Sequence, residues 1–195
     1  MSLRPDLAKI AENVPEGARV LDVGCGDGEL MAVLRESRHV DARGLEIDPG
    51  LVERAVARGL SVIQGDADRD LADYPDGAFD VAILSQTLQT AARPDQMLDQ
   101  LLRVGRQAFV SFPNFAYWRM RLSLLTNGRM PVTRHLPVSW YETQNIHHVT
   151  VEDFRDLLRT KGVTVESNWF FSGGREIGDR GANWRAEHAV YLLSR

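Results

Sequence analysis

The stretch "LDVGCGDGEL" (21–30) sets Gly24, Gly26 and Gly28 directly behind an apolar run, with Asp22 before them and Asp27 and Glu29 close by. Glycines clustered in this way mark close approach of backbone to a ligand, or a forced positive φ. A dinucleotide fingerprint needs G-x-G-x-x-G, and here the last position is Glu29. A pyrophosphate would meet the surrounding carboxylates, so the acidic rim suits a ligand with a cationic end. The competing reading is a tight turn that binds nothing. Glu46, in "GLEID", lies 22 positions after Gly24, close to the offset of about 20 residues at which a carboxylate accepts from ribose hydroxyls. By itself it reads equally as a solvated charge at a strand end. Asp66, in "QGDAD", stands where a carboxylate accepts from an exocyclic adenine amine while the following backbone N–H, that of Ala67, bonds a ring nitrogen. Alone, Asp66 reads as a turn residue. Together the three sites trace one nucleoside.

Other polar side chains are less specific. Ser85, Gln86 and Gln89 either hydrogen-bond something above such a ligand or cap their own loop; Ser85 joins the candidate ligand contacts. Cys25 occupies a small-residue slot between the glycines and is a candidate contact without a catalytic role. A helix N-terminus lowers a thiol pKa, but the flanking acids oppose this. His147 and His148 are adjacent, with no nearby cysteine and no H-x-x-x-H spacing, which disfavours zinc. No metal site is expected.

The elements that must position these groups are legible as short apolar runs. "ARVLDV" (18–23), "DARGLEI" (41–47), "LSVIQG" (60–65), "FDVAIL" (79–84) and "QAFVSF" (107–112) read as strands. Helical patterns fall near 28–37, 49–58 and 94–103. Asp48-Pro49 is an N-cap with proline at the first helical position, and Arg58-Gly59 closes that helix. This alternation predicts an α/β fold, with a doubly wound, mostly parallel sheet. A helix over 150–161 follows, opened by Thr150 and Asp153 at capping-box spacing. Late strands near 163–171 and 187–194 flank the polar "SGGREIGDRGANW", and a hairpin there makes the last pair antiparallel.

Residues 114–149 break the pattern. Phe115, Tyr117, Trp118, Trp140 and Tyr141 stand among Arg119, Arg121, Arg129 and Arg134, and no acid occurs from 115 to 135. Such a segment is a pocket roof, a satellite core, a solvated face or a protein interface, where Trp, Tyr and Arg dominate the energetics. The whole reads as one domain with an insert or cap over 114–149. Its 195 residues, 44% of them apolar, suffice to bury roughly 70% of the extended surface. A net charge of -4 speaks against a nucleic-acid footprint. One cysteine, no signal-peptide core and no apolar span fit a reducing cytoplasm without membrane insertion.

"VLDVGCGDGEL", "GLEID", "QGDAD" and "FDVAILSQTLQ" resemble the ordered motifs of class I S-adenosylmethionine-dependent methyltransferases over residues 18–112. "LLRVGRQAFVSFPNF", "WRMRL", "GRMPVT" and "YETQNIHHVT" are similar to the MetW family of methionine-biosynthesis proteins across nearly the whole chain. The resemblance implies a seven-stranded, Rossmann-like sheet with its last strand antiparallel, and S-adenosylmethionine or S-adenosylhomocysteine as ligand. It assigns the methionine ammonium to Asp22, the carboxypropyl end to Gly24 and Gly26, the ribose to Glu46, one adenine face to Ile47, and the adenine edge to Asp66 with Ala67. It also implies a partner, homoserine O-acyltransferase, whose activity such a protein supports. The alternative is an active methyltransferase on a small-molecule acceptor. "LSQTLQ" stands where enzymes acting on planar nitrogen often carry Asn/Asp-Pro-Pro-Tyr/Phe, which disfavours that chemistry.

Overall fold

The computed structural model describes residues 3–132 and 139–195. Its first half alternates strand and helix: α1 (Pro5–Asn13), β1 (Arg19–Val23), α2 (Glu29–Arg38), β2 (Asp41–Glu46), α3 (Pro49–Ala57), β3 (Ser61–Gln64) and the single turn α4 (Ala67–Asp70). Then come β4 (Phe79–Ser85), α5 (Pro94–Val104), β5 (Gly105–Pro113), α6 (Trp118–Asn127), α7 (Val151–Lys161) and β6 (Thr164–Ser172). The chain closes with β7 (Arg175–Ile177), the single turn α8 (Ala182–Arg185) and β8 (His188–Ser194).

The strands form one sheet in the order β3-β2-β1-β4-β5-β8-β6-β7. Neighbours from β3 to β5 are parallel. β8 enters antiparallel between β5 and β6. Strand residues alternate between two apolar layers. Val20, Val81, Ile83 and Phe109 pack with Leu7 and Ile10 of α1 and Leu30 and Leu34 of α2. Leu21, Val23, Leu84, Val110 and Phe112 pack with Leu98 and Leu101 of α5 and Phe154 of α7 on the other face. Burial on both faces is why these strands read as continuous apolar runs.

The local punctuation acts as expected. Asp48 accepts from the N–H groups of Gly50 and Leu51 at 2.7 and 3.0 Å. Thr150 Oγ1 accepts from the N–H of Asp153 at 3.1 Å, and the Asp153 carboxylate binds the Thr150 hydroxyl.

Three elements go beyond the sequence pattern. α1 carries Leu7, Ile10 and Ala11 at helical spacing, with Val14 just past its end, all buried. Within the polar "SGGREIGDRGANW", Gly173 and Gly174 take positive φ and turn β6 into β7. That adds a short eighth strand beside the seven expected. α6 lies inside 114–149, and its apolar residues mostly face outward, so no core-facing stripe announces it. Arg134 lies outside the described residues.

Candidate functional site

The carboxyl ends of β1 to β4 surround a cavity of about 660 Å³, the place where an open α/β sheet takes its ligand. Its walls bring together each candidate contact: Asp22, Gly24, Cys25, Gly26, Glu46, Ile47, Asp66, Ala67 and Ser85.

Asp22, next to last in β1, lines the cavity and is only 3% exposed. It has no hydrogen-bond partner among the described residues. Burial, and then the neighbouring Glu46 carboxylate, push its carboxyl up to about 7, with Arg4 pulling the other way. Glu46, buried at the end of β2, reaches across to the glycine loop. Its Oε2 accepts from the N–H of Gly26 at 2.8 Å, and its Oε1 from the N–H of Asp48 at 3.0 Å. The carboxylate therefore shapes the loop and still presents free lone pairs to the cavity.

All three loop glycines hold positive φ, +70° at Gly24, +60° at Gly26 and +79° at Gly28. Gly24 has a second requirement, because a Cβ there would stand 2.5 Å from Thr87 Oγ1. Around Gly26 a Cβ would meet nothing within 4 Å, so its face is open. The Cys25 thiol is held well above its usual range by burial, then by Asp22 and Glu46.

At the end of β3, Asp66 serves as a turn residue as well. Its Oδ1 accepts from the N–H of Asp68 and its Oδ2 from Arg69 Nε, both at 3.1 Å. Ile47 stands at the rim, 62% exposed, an unsupported apolar surface beside the cavity.

The far wall holds residues that the sequence reading missed. α1 delivers Arg4 and buried Asp6 to the end of β4. Asp6 Oδ2 accepts from Gln86 Nε2 at 3.2 Å and from Arg4 Nη2 and Ser111 Oγ at 3.4 Å. Arg4 Nη2 also reaches Ser85 Oγ at 3.3 Å, and Ser85 Oγ lies 3.1 Å from Ser111 Oγ. Gln86 is held at φ +52°, unusual for a residue with a side chain. The signal for this wall was the helical spacing of Leu7, Ile10 and Val14 behind Arg4-Pro5-Asp6. Gln89 caps its loop: Nε2 donates to the Gln86 carbonyl at 2.7 Å, and its own carbonyl accepts from the N–H groups of Ile146 and His147.

From 139–149 only Gln144 reaches the cavity wall. Trp140 and Tyr141 are 75% and 71% exposed and do not line the cavity. Phe115 packs edge-on against His148. Among the described residues no cluster of His, Cys, Asp and Glu is able to hold a metal ion, and no helix is long and apolar enough to cross a membrane.

The model for methionine biosynthesis protein MetW matches residues 4–193. A bifunctional methionine biosynthesis protein MetXA/MetW of Rhodopirellula baltica is 34% identical over 207 aligned positions, which cover 100% of this chain and 33% of that protein. A ubiquinone biosynthesis O-methyltransferase of Xylella fastidiosa is 36% identical over 80% of this chain and 65% of its own length. The chain thus spans about a third of the first relative and somewhat under two thirds of the second. The crystal structure of a SAM-dependent methyltransferase from Archaeoglobus fulgidus superposes with a TM-score of 0.73 at 15% identity, covering 97% of this chain and 91% of that one. The fold is that of the class I methyltransferases.

Proposed function

The chain belongs to the MetW family, and from that premise we propose that it binds S-adenosylmethionine or S-adenosylhomocysteine and supports a homoserine O-acyltransferase in methionine biosynthesis. The observation that carries the donor reading is Asp22, a buried carboxylate facing the cavity with no hydrogen-bond partner among the described residues. An ammonium group is what such a carboxylate lacks, because a buried charge is tolerable only when paired.

The other residues fit the rest of that ligand. The open face at Gly26 admits a close approach, Glu46 keeps lone pairs for ribose hydroxyls, and exposed Ile47 covers an adenine face. Asp66 and Ala67 read the adenine edge, although Asp66 shares its oxygens with Asp68 and Arg69. Cys25 and Ser85 complete the wall. When bound, S-adenosylmethionine supplies an electrophilic methyl group on a sulfonium. The chain's own residues hold the donor's two ends and exclude water from Asp22.

The partner reading is supported by the relative that carries MetXA and MetW in one polypeptide. A second reading, methyl transfer to a small-molecule acceptor, is favoured by the similarity to an O-methyltransferase. Against it, Asp6 is engaged by Gln86 and Ser111, and Ser111 in turn by Ser85, so that among the described residues of this network no base stands unengaged.

The test has two arms. Calorimetry compares S-adenosylmethionine, S-adenosylhomocysteine and NAD, and heat with NAD alone defeats the donor reading. Acyl transfer by homoserine O-acyltransferase is then followed with and without this chain. An unchanged rate at saturating chain defeats the partner reading.

A further inference from the structure

α6 is oriented with its apolar stripe outward. Met120 is its one buried residue. Trp118, Leu122 and Leu125 recur at i, i+4 and i+7 and so share one stripe along the helix. Leu122 is about half exposed and Leu125 is 84% exposed. After the turn at Gly128 the chain adds exposed Met130 and Val132. Single exposed apolar residues need no explanation, but a run of them on one segment marks an interaction site.

Along the segment itself the charge has one sign. From Asn114 to Val132 there are three arginines, Arg119, Arg121 and Arg129, and no acid. The Arg119 guanidinium lies 5.3 Å from the Trp118 ring centre, and that of Arg121 lies 5.2 Å from Trp184. Trp118, Trp184 and Ile177 line an adjoining groove of about 410 Å³. The groove is large enough to receive a side chain from a partner.

We infer that the outward stripe of α6, with the Trp118–Trp184 groove, is the surface on which the acyltransferase docks, through an apolar patch rimmed by carboxylates on that enzyme. This rests on the reading above that the chain supports that enzyme. Two observations select the occupant. In a two-fold dimer the same patch faces itself, which would set Arg119, Arg121 and Arg129 against their own copies with no acid in the 114–132 segment to answer them, and this disfavours a second copy. The fused relative carries MetXA tethered to a MetW portion, a covalent link that holds the two at high effective concentration.

The docking surface and the donor cavity also touch different residues, so each is perturbed separately. The test uses the full chain and purified homoserine O-acyltransferase from the same genome, immobilised for interferometry at low and moderate salt. Leu122→Glu/Leu125→Glu changes exposed residues only. It should weaken association at least about thirtyfold, the loss typical of central hot spots. Arg119→Glu/Arg129→Glu should weaken it and flatten its salt dependence. Both variants should keep the wild-type melting temperature and affinity for S-adenosylhomocysteine. Association of the leucine variant within threefold of wild type overturns the inference. A wild-type dimer that this variant dissolves, with acyltransferase binding unchanged, makes a second copy the occupant and also overturns it. No wild-type association at all defeats the partner reading and removes the inference with it. Wild-type association that the leucine variant loses supports the surface whether or not the donor binds, so the two readings fail separately.

Discussion

Replacing Asp22 by Asn should make the ligand-free protein more stable and abolish its use of the methyl donor. The carboxyl of Asp22 is raised from 3.8 to about 7 because burial and Glu46 penalise its charged form. A folded-state value above the unfolded one means that the folded chain holds more protons between these limits. Stability then falls as pH climbs from about 4 to 7, and the full cost is present above 7. A shift of about three units corresponds to roughly 4 kcal/mol at ~1.4 kcal/mol per unit. By pH 5 the wild type already carries part of that cost, so the advantage of Asn should grow by roughly 2–3 kcal/mol between pH 5 and pH 8. The assay is urea unfolding of both proteins at pH 5, 6.5 and 8, read as the difference between them so that other titrating groups cancel. Calorimetry with S-adenosylhomocysteine completes it. Wild-type affinity should drop as pH falls below 7, since the ionised carboxylate is the form that pairs with the ammonium, and the Asn variant should bind weakly at every pH. Parallel stability profiles for the two proteins, or full-strength binding by the variant, would refute the reasoning.

Gly24→Ala meets both a positive φ and Thr87 Oγ1 2.5 Å from the new Cβ, whereas Gly26→Ala meets the φ alone; melting curves should therefore show the first to be the more destabilised. Asn114→Ala removes a buried amide that donates to the carbonyls of Ala186 and Asn183 at 2.8 and 3.0 Å and accepts from the N–H groups of Ala116 and Val151. With those groups left unpaired, urea unfolding should register a loss of about 2–4 kcal/mol. The Cys25 thiol, kept protonated by burial and by Asp22 and Glu46, should react with a thiol reagent at pH 8 far more slowly in the native protein than in urea. Equal rates would place it outside the loop interior.

What the sequence determined alone is what near neighbours decide. Positive φ at Gly24, Gly26 and Gly28, the cap at Asp48-Pro49, the Thr150–Asp153 pair and the apolar runs of β1 to β5 follow from turn chemistry and periodicity within a few residues. The order of Asp22, Glu46 and Asp66 along the chain also placed them at successive strand ends, because parallel strands bring all their carboxyl ends to one edge. Tertiary structure decided how those groups behave. The partnerless burial of Asp22 depends on walls from β2, β4 and α1, and Asp6 reaches Ser111 across 105 positions. Asp66 shares its oxygens with Arg69 only because α4 forms there. Trp118 reads from sequence as roof, satellite core or interface alike, and the outward setting of Leu122 and Leu125 on α6 is set by tertiary packing alone. Burial and desolvation sum contributions from segments distant in sequence, and a local pattern holds no record of which segments those are.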